Sequence, residues 1–295
     1  MSKPMSLTLI RKKIDIYVRL TRLDKPIGIL LLLWPTLLGL LIAADGRPQS
    51  AVVLIFIAGT VLMRSAGCVM NDIADQKFDG HVERTQFRPL PNREVGRKEA
   101  LLLAAVLSLL AFVLVSLLNR LTVELSVLAL FLAMSYPLTK RFFVMPQAYL
   151  GIAFGFGIPM AFAAVNNEVP AVAWLLLLAN VFWAVAYDTE YAMVDRDDDL
   201  KIGIKSSAIT FGRYDVAAIM TCYAITLLLL LAAGAMLALS TAYYIGLLFA
   251  SCVAVYHYFL IRNRDRKTCF KAFLGNNWFG FFVFTGMLAH YTGAA

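Results

Sequence analysis

Apolar residues of this chain occur in long blocks separated by short polar segments. The blocks are roughly 20 residues long, the length that a helix needs to cross about 30 Å of hydrocarbon. The pattern predicts nine transmembrane helices, near residues 26–44, 51–70, 99–118, 121–138, 147–165, 170–187, 214–236, 240–261 and 270–292. We therefore expect an all-α polytopic membrane protein, a helical bundle around a central cavity, organised as a single domain over residues 1–295.

Composition excludes an ordinary soluble protein. Hydrophobic residues make up 60% of the chain and charged residues 16%, against about 45–50% and 25% in soluble domains. The four cysteines and three histidines are scattered along the chain without metal-ligand spacing, so no disulfide or zinc site is expected.

The basic residues are distributed unevenly between the two sides of the predicted bundle. If residues 1–25 lie on one side, that side also receives the two longest polar loops, about 71–98 and 188–213, and 24 of the 27 Lys and Arg residues. Short cytoplasmic loops of membrane proteins carry such an excess of positive charge. We expect the N-terminus and both loops to be cytoplasmic.

Both long loops begin with carboxylates spaced to share one helical face. At 100° per residue, those of the first loop fall within about 60° of one another, as do those of the second. The first set, with an asparagine beside it, is Asn71, Asp72, Asp75 and Asp79; the second is Asp188, Asp195 and Asp199. Two acidic stripes are thus predicted to end two helices on the same side of the membrane.

Clustered carboxylates repel one another unless a cation lies between them. Mg²⁺ favours one or two carboxylates together with water and substrate phosphates, so the stripes indicate a Mg²⁺ site for a phosphorylated ligand. Two other interpretations remain open. The acids could be solvated residues at helix ends, or they could serve a cation-coupled transporter, although transport sites typically lie near the bilayer midplane.

Basic side chains accompany the acids and are candidates to bind a diphosphate. They are Lys77, Arg84, Arg88, Lys201 and Lys205. Positive-inside topology explains their presence equally well. Arg64 is different because it lies inside the second apolar block, where a charge is costly and faces a cavity or a partner. It is interpreted either as an anion contact or as a member of an internal ion pair.

These residues resemble the UbiA superfamily of intramembrane aromatic prenyltransferases. Its first motif, N-D-x-x-D-x-x-x-D, matches Asn71 to Asp79, and its second, D-x-x-x-D, matches Asp195 to Asp199. Additional segments are similar to the branch that acts on 4-hydroxybenzoate, namely Asp24-Lys25-Pro26-Ile27-Gly28, Arg84-Thr85-Gln86-Phe87-Arg88-Pro89-Leu90-Pro91, Tyr136-Pro137 and Gly203-Ile204-Lys205-Ser206. The second motif is crowded by Asp197 and Asp198, which leaves open which of those acids ligates metal.

The resemblance implies Mg²⁺-dependent transfer of a polyprenyl group from its diphosphate to the ring carbon ortho to the hydroxyl of 4-hydroxybenzoate. This is a step of ubiquinone biosynthesis at the bacterial inner membrane. The partners it implies are the two substrates and the bilayer, with no nucleic acid. Other branches of the family, acting on naphthoate, haem or chlorophyll precursors, remain alternatives.

The resemblance also implies residue roles. Mg²⁺ would be held by Asp72, Asp75, Asp79, Asp195 and Asp199, with Asn71 and Asp188 nearby, and Asp75, Asp79, Asp195 and Asp199 are the expected catalytic acids. Arg141 is the first candidate to bind the 4-hydroxybenzoate carboxylate, followed by Arg64 and Arg22, with Tyr136 beside the aromatic substrate.

Overall fold

The computed structural model describes residues 7–76 and 85–293, and all regular secondary structure in these ranges is helical. A 3-10 turn, Gly212–Tyr214, precedes the tenth helix. The helices are α1 (Leu7–Thr21), α2 (Ile27–Ala43), α3 (Ser50–Asp75), α4 (Arg97–Val115), α5 (Arg120–Thr139), α6 (Pro146–Gly155), α7 (Gly157–Asn166), α8 (Ala171–Ile202), α9 (Ser207–Phe211), α10 (Asp215–Met236), α11 (Thr241–Ile261) and α12 (Arg266–Gly293).

Each predicted apolar block coincides with a helix or a helix pair, so the all-α membrane-bundle prediction is confirmed. Within the described residues, seven helical stretches are long and apolar enough to cross a membrane: α3, α4, α5, α6 with α7, α8, α9 with α10, and α11. The helices of the other two apolar blocks do not meet both the length and the hydropathy expected of a membrane span. α2 is apolar but has only 17 residues, and α12 has 28 residues but is less apolar.

One predicted span is broken into two helices. The block at 147–165 forms α6 and α7, which meet at Phe156. A glycine pair places α6 against α8: a Cβ on Gly151 would lie 2.8 Å from Val181 Cα, and one on Gly155 would lie 2.5 Å from Asn180 Nδ2. This Gly-x-x-x-Gly sequence therefore allows α6 and α8 to approach closely.

The polar N-terminal segment contains an amphipathic helix that the apolar-block pattern did not reveal. In α1, Ile16 and Leu20 are buried against Val69 and Ile73 of α3, whereas Ile14 is exposed. Its apolar residues recur every three to four positions among charges, which is typical of a helix lying on a surface. α1 consequently packs beside the acidic end of α3.

α8 is the central helix of the bundle. It has 32 residues and extends well past the predicted span end at 187, to a left-handed C-cap at Gly203 (φ 73°). Its buried side chains belong to the main apolar core, which it shares with α2, α10, α11 and α12. The last three turns of α8 carry Asp195 and Asp199 beyond the apolar part of the helix.

Candidate active site

A cavity of about 1360 Å³ lies between the helices, and most of its charged lining residues lie near the ends of α3, α5 and α8. We call this charged end the mouth. Its walls carry charged residues from α3, α5, α8 and the start of α12. The rest of the cavity extends toward the C-terminal end of α4, and we call this part the shaft. It is lined by apolar side chains that include Phe56, Met63, Ala111, Val115, Leu118 and Leu130. The cavity therefore has one polar and one apolar end.

The α3 side of the mouth contains three of the predicted residues. α3 remains helical to Asp75, so Asn71, Asp72 and Asp75 all line the cavity as the spacing predicted. Asp72 is 1% exposed and accepts hydrogen bonds from Arg22 Nη2 at 2.8 and 2.9 Å and from Arg88 Nη1 at 3.1 Å. Its negative charge is thus compensated by two arginines that themselves line the mouth.

Asn71 and Asp75 direct oxygens toward one cation, the ammonium of Lys140. Lys140 Nζ lies 3.0 Å from Asn71 Oδ1 and 3.0 Å from Asp75 Oδ2, and 5.6 Å from the centroid of the Tyr136 ring one turn earlier. Burial lowers the pKa of Lys140, but the neighbouring acidic groups, Asp75 foremost, together raise it by more, so the net shift is upward. The lysine stays charged at the centre of the mouth.

Lys140 is a site residue that the sequence reasoning missed. It follows the Tyr136-Pro137 pair and precedes Arg141, which was preferred in its place. The sequence feature that could have identified Lys140 is its position just after the end of an apolar block, on the side of the membrane that carries the acidic loops. Sequence spacing could not show that its side chain turns toward Asp75 rather than toward water.

The α8 side of the mouth brings the second acidic stripe to the same cavity. Asp188, Asp195 and Asp199 all line it, as does Asp198, one of the two acids that crowd the second motif. Arg266 at the start of α12 lies 3.5 Å from Asp198 and 3.1 Å from the exposed Asp197. The two acid-bearing helix ends therefore face each other across one opening.

The donor set suits a hard cation held jointly with a phosphate. Among residues 7–76 and 85–293, no three His, Cys, Asp or Glu side chains come close enough together to enclose a metal. Mg²⁺ does not need such a cage, since it typically binds one or two protein carboxylates and completes its shell with water and phosphate oxygens. The convergence of Asn71 and Asp75 on a single cation, opposite the α8 acids, fits that coordination.

Arg64 lies in the cavity wall below the acids. It donates to Cys68 Sγ, lies 5.6 Å from the Phe154 ring centroid, and packs so closely on α2 that a Cβ on Gly28 would be 2.5 Å from Nη2. Its Nε is buried without a hydrogen-bond partner, and the described residues place no carboxylate within 4.0 Å of its guanidinium. These contacts favour the interpretation of Arg64 as an anion contact.

The remaining predicted residues have mixed positions. Arg22, Arg88, Tyr136 and Lys205 line the cavity, and Lys205 Nζ donates to the Phe142 carbonyl at 3.2 Å. Two others do not line it: Arg141 is exposed and donates to the Ala74 carbonyl at 2.6 Å, and Lys201 is exposed beside Asp198. Lys77, Asp79 and Arg84 lie outside the described residues.

A membrane bundle with a charged mouth above an apolar shaft defines a class of protein, an intramembrane enzyme for an amphiphilic anionic substrate. The comparison with known proteins gives the family within that class. Residues 32–285 match the UbiA prenyltransferase family, and the chain belongs to it.

Relatives of similar length share most of the sequence. The chain is 66% identical over 280 residues to a 4-hydroxybenzoate octaprenyltransferase of Methylobacillus flagellatus, covering 95% of each chain. It is 65% identical over 279 residues to a protein of the same description from an Azoarcus species, covering 95% of this chain and 97% of the relative.

Solved structures share the fold. A UbiA homologue from Aeropyrum pernix superposes with a TM-score of 0.78 at 26% identity, covering 89% of this chain and 97% of the homologue. A UbiA homologue from Archaeoglobus fulgidus, bound to GPP and Mg²⁺, superposes with a TM-score of 0.70 at 18% identity, covering 92% and 99%.

Proposed function

We propose that this chain transfers a polyprenyl group from polyprenyl diphosphate to the ring carbon ortho to the hydroxyl of 4-hydroxybenzoate, in ubiquinone biosynthesis. One observation carries the proposal: two acid-bearing helix ends share the mouth of a cavity whose shaft is apolar. Relatives at 65–66% identity, described as 4-hydroxybenzoate octaprenyltransferases, support the choice of acceptor. We further propose that the chain is one catalytic domain, with its mouth on the cytoplasmic side of a bacterial inner membrane.

The diphosphate is proposed to bind at the mouth. Asn71, Asp75, Asp195 and Asp199 would hold Mg²⁺, with Asp72, Asp79 and Asp188 in support. The metal would supply charge neutralisation to the leaving diphosphate. Arg22, Arg88, Lys140 and Lys205 lie around the same opening and add fixed positive charge toward the phosphate oxygens, where negative charge develops as the C–O bond breaks; Lys77, Arg84 and Lys201 remain further candidates.

The acceptor is proposed to bind below the diphosphate, with its carboxylate on Arg64. An unpaired guanidinium in a low-dielectric wall is a strong site for a small carboxylate. Arg64 contacts Phe154 and lies in the same cavity wall as Tyr136 and Tyr187, so aromatic faces surround the reacting ring. They also stabilise positive charge on the allylic carbon. Because Arg64 lines the cavity and Arg141 does not, Arg64 replaces it as the first candidate.

The shaft is proposed to hold the isoprenoid tail. Its apolar lining excludes water, which would otherwise capture the allylic cation before the ring does. The C–O bond to the diphosphate breaks as the new C–C bond forms at the ring carbon, the ring proton passes to a carboxylate, the released diphosphate or water, and diphosphate leaves through the mouth.

The direct test is an assay of purified protein in nanodiscs. Labelled 4-hydroxybenzoate and polyprenyl diphosphates of several lengths are incubated with and without Mg²⁺. The expected result is a Mg²⁺-dependent, 3-prenylated 4-hydroxybenzoate. Product formed only with a naphthoate acceptor would contradict the acceptor assignment, and cation flux into proteoliposomes without any prenyl product would contradict the enzyme assignment.

A further inference from the structure

A second polar cluster lies on the side of α8 that faces away from the mouth. Glu190, His257 and Asn276 are fully buried, and Tyr223 is 1% exposed. They come from α8, α11, α12 and α10, respectively, and none of them lines the cavity. An acidic side chain buried inside an apolar bundle is costly and requires compensating contacts, so its presence calls for a function.

The hydrogen bonds of this cluster can be arranged to converge on Glu190. Asn276 Nδ2 donates to Oε2 at 2.8 Å, and the Tyr223 hydroxyl donates to Oε1 at 3.0 Å. His257 Nδ1 lies 2.9 Å from the Tyr223 oxygen, and Trp183 Nε1 donates to Asn276 Oδ1 at 2.8 Å. Tyr223 has a single proton, so its 2.8 Å contact with Asn276 Oδ1 is an alternative to donation to Glu190.

The cluster fixes α8 at two points of one face. Trp183 and Glu190 are seven residues apart and so project within about 20° of each other. Asp188, in contrast, projects about 160° away from Glu190 on an ideal helix. The same helix thus presents its acids to the mouth on one side and is hydrogen-bonded to α10 and α12 on the opposite side, with α11 joined to it through Tyr223.

We propose that Glu190 is a positioning residue, which sets the rotation of α8 and thereby the metal-binding geometry of the acids at the mouth. The proposal rests on the metal site of the proposed function. A carboxylate about 6 Å from the helix axis moves by about 2 Å when the helix rotates by 20°. Mg²⁺–oxygen distances are 2.0–2.1 Å in near-ideal octahedra, so a small rotation of α8 removes its acids from the metal.

The proposed carboxylate contact of the acceptor provides an internal reference, because it is built on helices other than α8. Arg64 belongs to α3 and contacts Gly28 of α2, Cys68 of α3 and Phe154 of α6. Rotation of α8 should weaken metal binding and leave the KM for 4-hydroxybenzoate nearly unchanged. A general loosening of the bundle would affect both.

The experiment measures Mn²⁺ affinity by EPR in nanodiscs containing the full chain, with inorganic pyrophosphate present, beside thermal unfolding and steady-state kinetics. Glu190→Ala is expected to weaken Mn²⁺ binding at least fivefold and to raise the Mg²⁺ concentration for half-maximal rate by a similar factor. The KM for 4-hydroxybenzoate is expected to change less than twofold. Glu190→Gln retains an acceptor and adds a donor, and should restore Mn²⁺ affinity to within twofold of the parent.

Tyr243→Phe is the matched control. Tyr243 is fully buried and its hydroxyl donates to the Leu230 carbonyl at 2.9 Å, between α11 and α10 without α8. Its loss should lower thermal stability and leave Mn²⁺ affinity unchanged. If Glu190→Ala does not insert, Tyr223→Phe replaces it, with an expected two- to fivefold weakening.

Two results would overturn the inference: Mn²⁺ affinity within twofold of the parent in Glu190→Ala (or in Tyr223→Phe where that replaces it), or equal weakening in Tyr243→Phe. The Asp75→Ala variant distinguishes an error in the positioning role of Glu190 from an error in the proposed metal site. If Asp75→Ala abolishes Mn²⁺ binding while Glu190→Ala does not change it, the metal site stands and the positioning role falls. If Asp75→Ala retains full binding, the metal site itself is wrong.

Discussion

The ends of α3 and α8 carry similar acids but are held in different ways. On α3, basic side chains inside the mouth contact the acids directly: Arg22 and Arg88 on Asp72, and Lys140 on Asp75. α8 is also fastened outside the mouth, through Glu190 and through Arg196, which pairs with the buried Asp215 of α10. The comparison teaches that the position of the α3 acids depends on charge balance within the mouth, whereas the position of the α8 acids depends also on contacts outside it.

The strongest way to break the comparison is to remove one acid from each end. Asp75→Ala and Asp195→Ala are each expected to lower kcat by on the order of 10³-fold, since each removes charge that acts on the leaving diphosphate. Product formation in nanodiscs is the measurement, and circular dichroism checks folding. Near-normal turnover in both variants would refute the metal–diphosphate assignment.

Lys140→Met tests the charge balance on α3. It leaves the Asp75 carboxylate without its ammonium partner and removes a positive charge from the mouth, so kcat is expected to fall about 10²-fold. Arg120→Met, at an exposed pair with Glu124 at the opposite end of α5, serves as the control and should retain parental turnover. Equal loss in the two variants would show that the effect is not local to the mouth.

Arg64→Met sharpens the assignment of the acceptor site. Loss of a charge-assisted hydrogen bond costs about 1.5–3 kcal/mol, so the KM for 4-hydroxybenzoate should rise about ten- to a hundredfold, with little change in the half-saturating Mg²⁺ concentration. Arg141→Met should raise that KM less, because Arg141 does not line the cavity. KM is obtained from initial rates. A larger increase of KM in Arg141→Met than in Arg64→Met would assign the carboxylate contact to Arg141.

The smallest effect concerns the surface ion pair between α1 and the segment that precedes α4. Arg19 lies 2.5 Å from Glu94, and this hydrogen bond, against a weaker opposing effect of burial, lowers the pKa of Glu94. The stabilisation is present above the unfolded-state pKa near 4.3 and declines as pH falls through the lower folded-state value. Glu94→Gln should cost about 0.2–1 kcal/mol at pH 7, and its difference from the parent should shrink in thermal unfolding scans as the pH falls below about 4.3. A difference that persists unchanged at pH 3 would argue against the ion pair.

The sequence predicted what depends on short-range periodicity. The apolar blocks located the helices, and the spacing of Asn71, Asp72 and Asp75 placed all three in one cavity. It did not reveal α1, whose apolar residues are interleaved with charges, or the inward turn of Lys140. The Glu190 cluster was also invisible, because Asn276 lies 86 residues away and only the packing of α8 against α12 joins them.

The apolar shaft below the mouth also determines which of the two substrates has to move between water and the membrane. At about 0.8 kcal/mol per methylene group exposed to water, lifting a tail of even ~20 carbons out of lipid would cost on the order of 15 kcal/mol. A cavity built within the bilayer avoids that transfer altogether. The small, water-soluble ring compound must therefore come to the membrane, and the prenylated product stays dissolved in lipid, ready for whichever membrane-bound enzyme acts next.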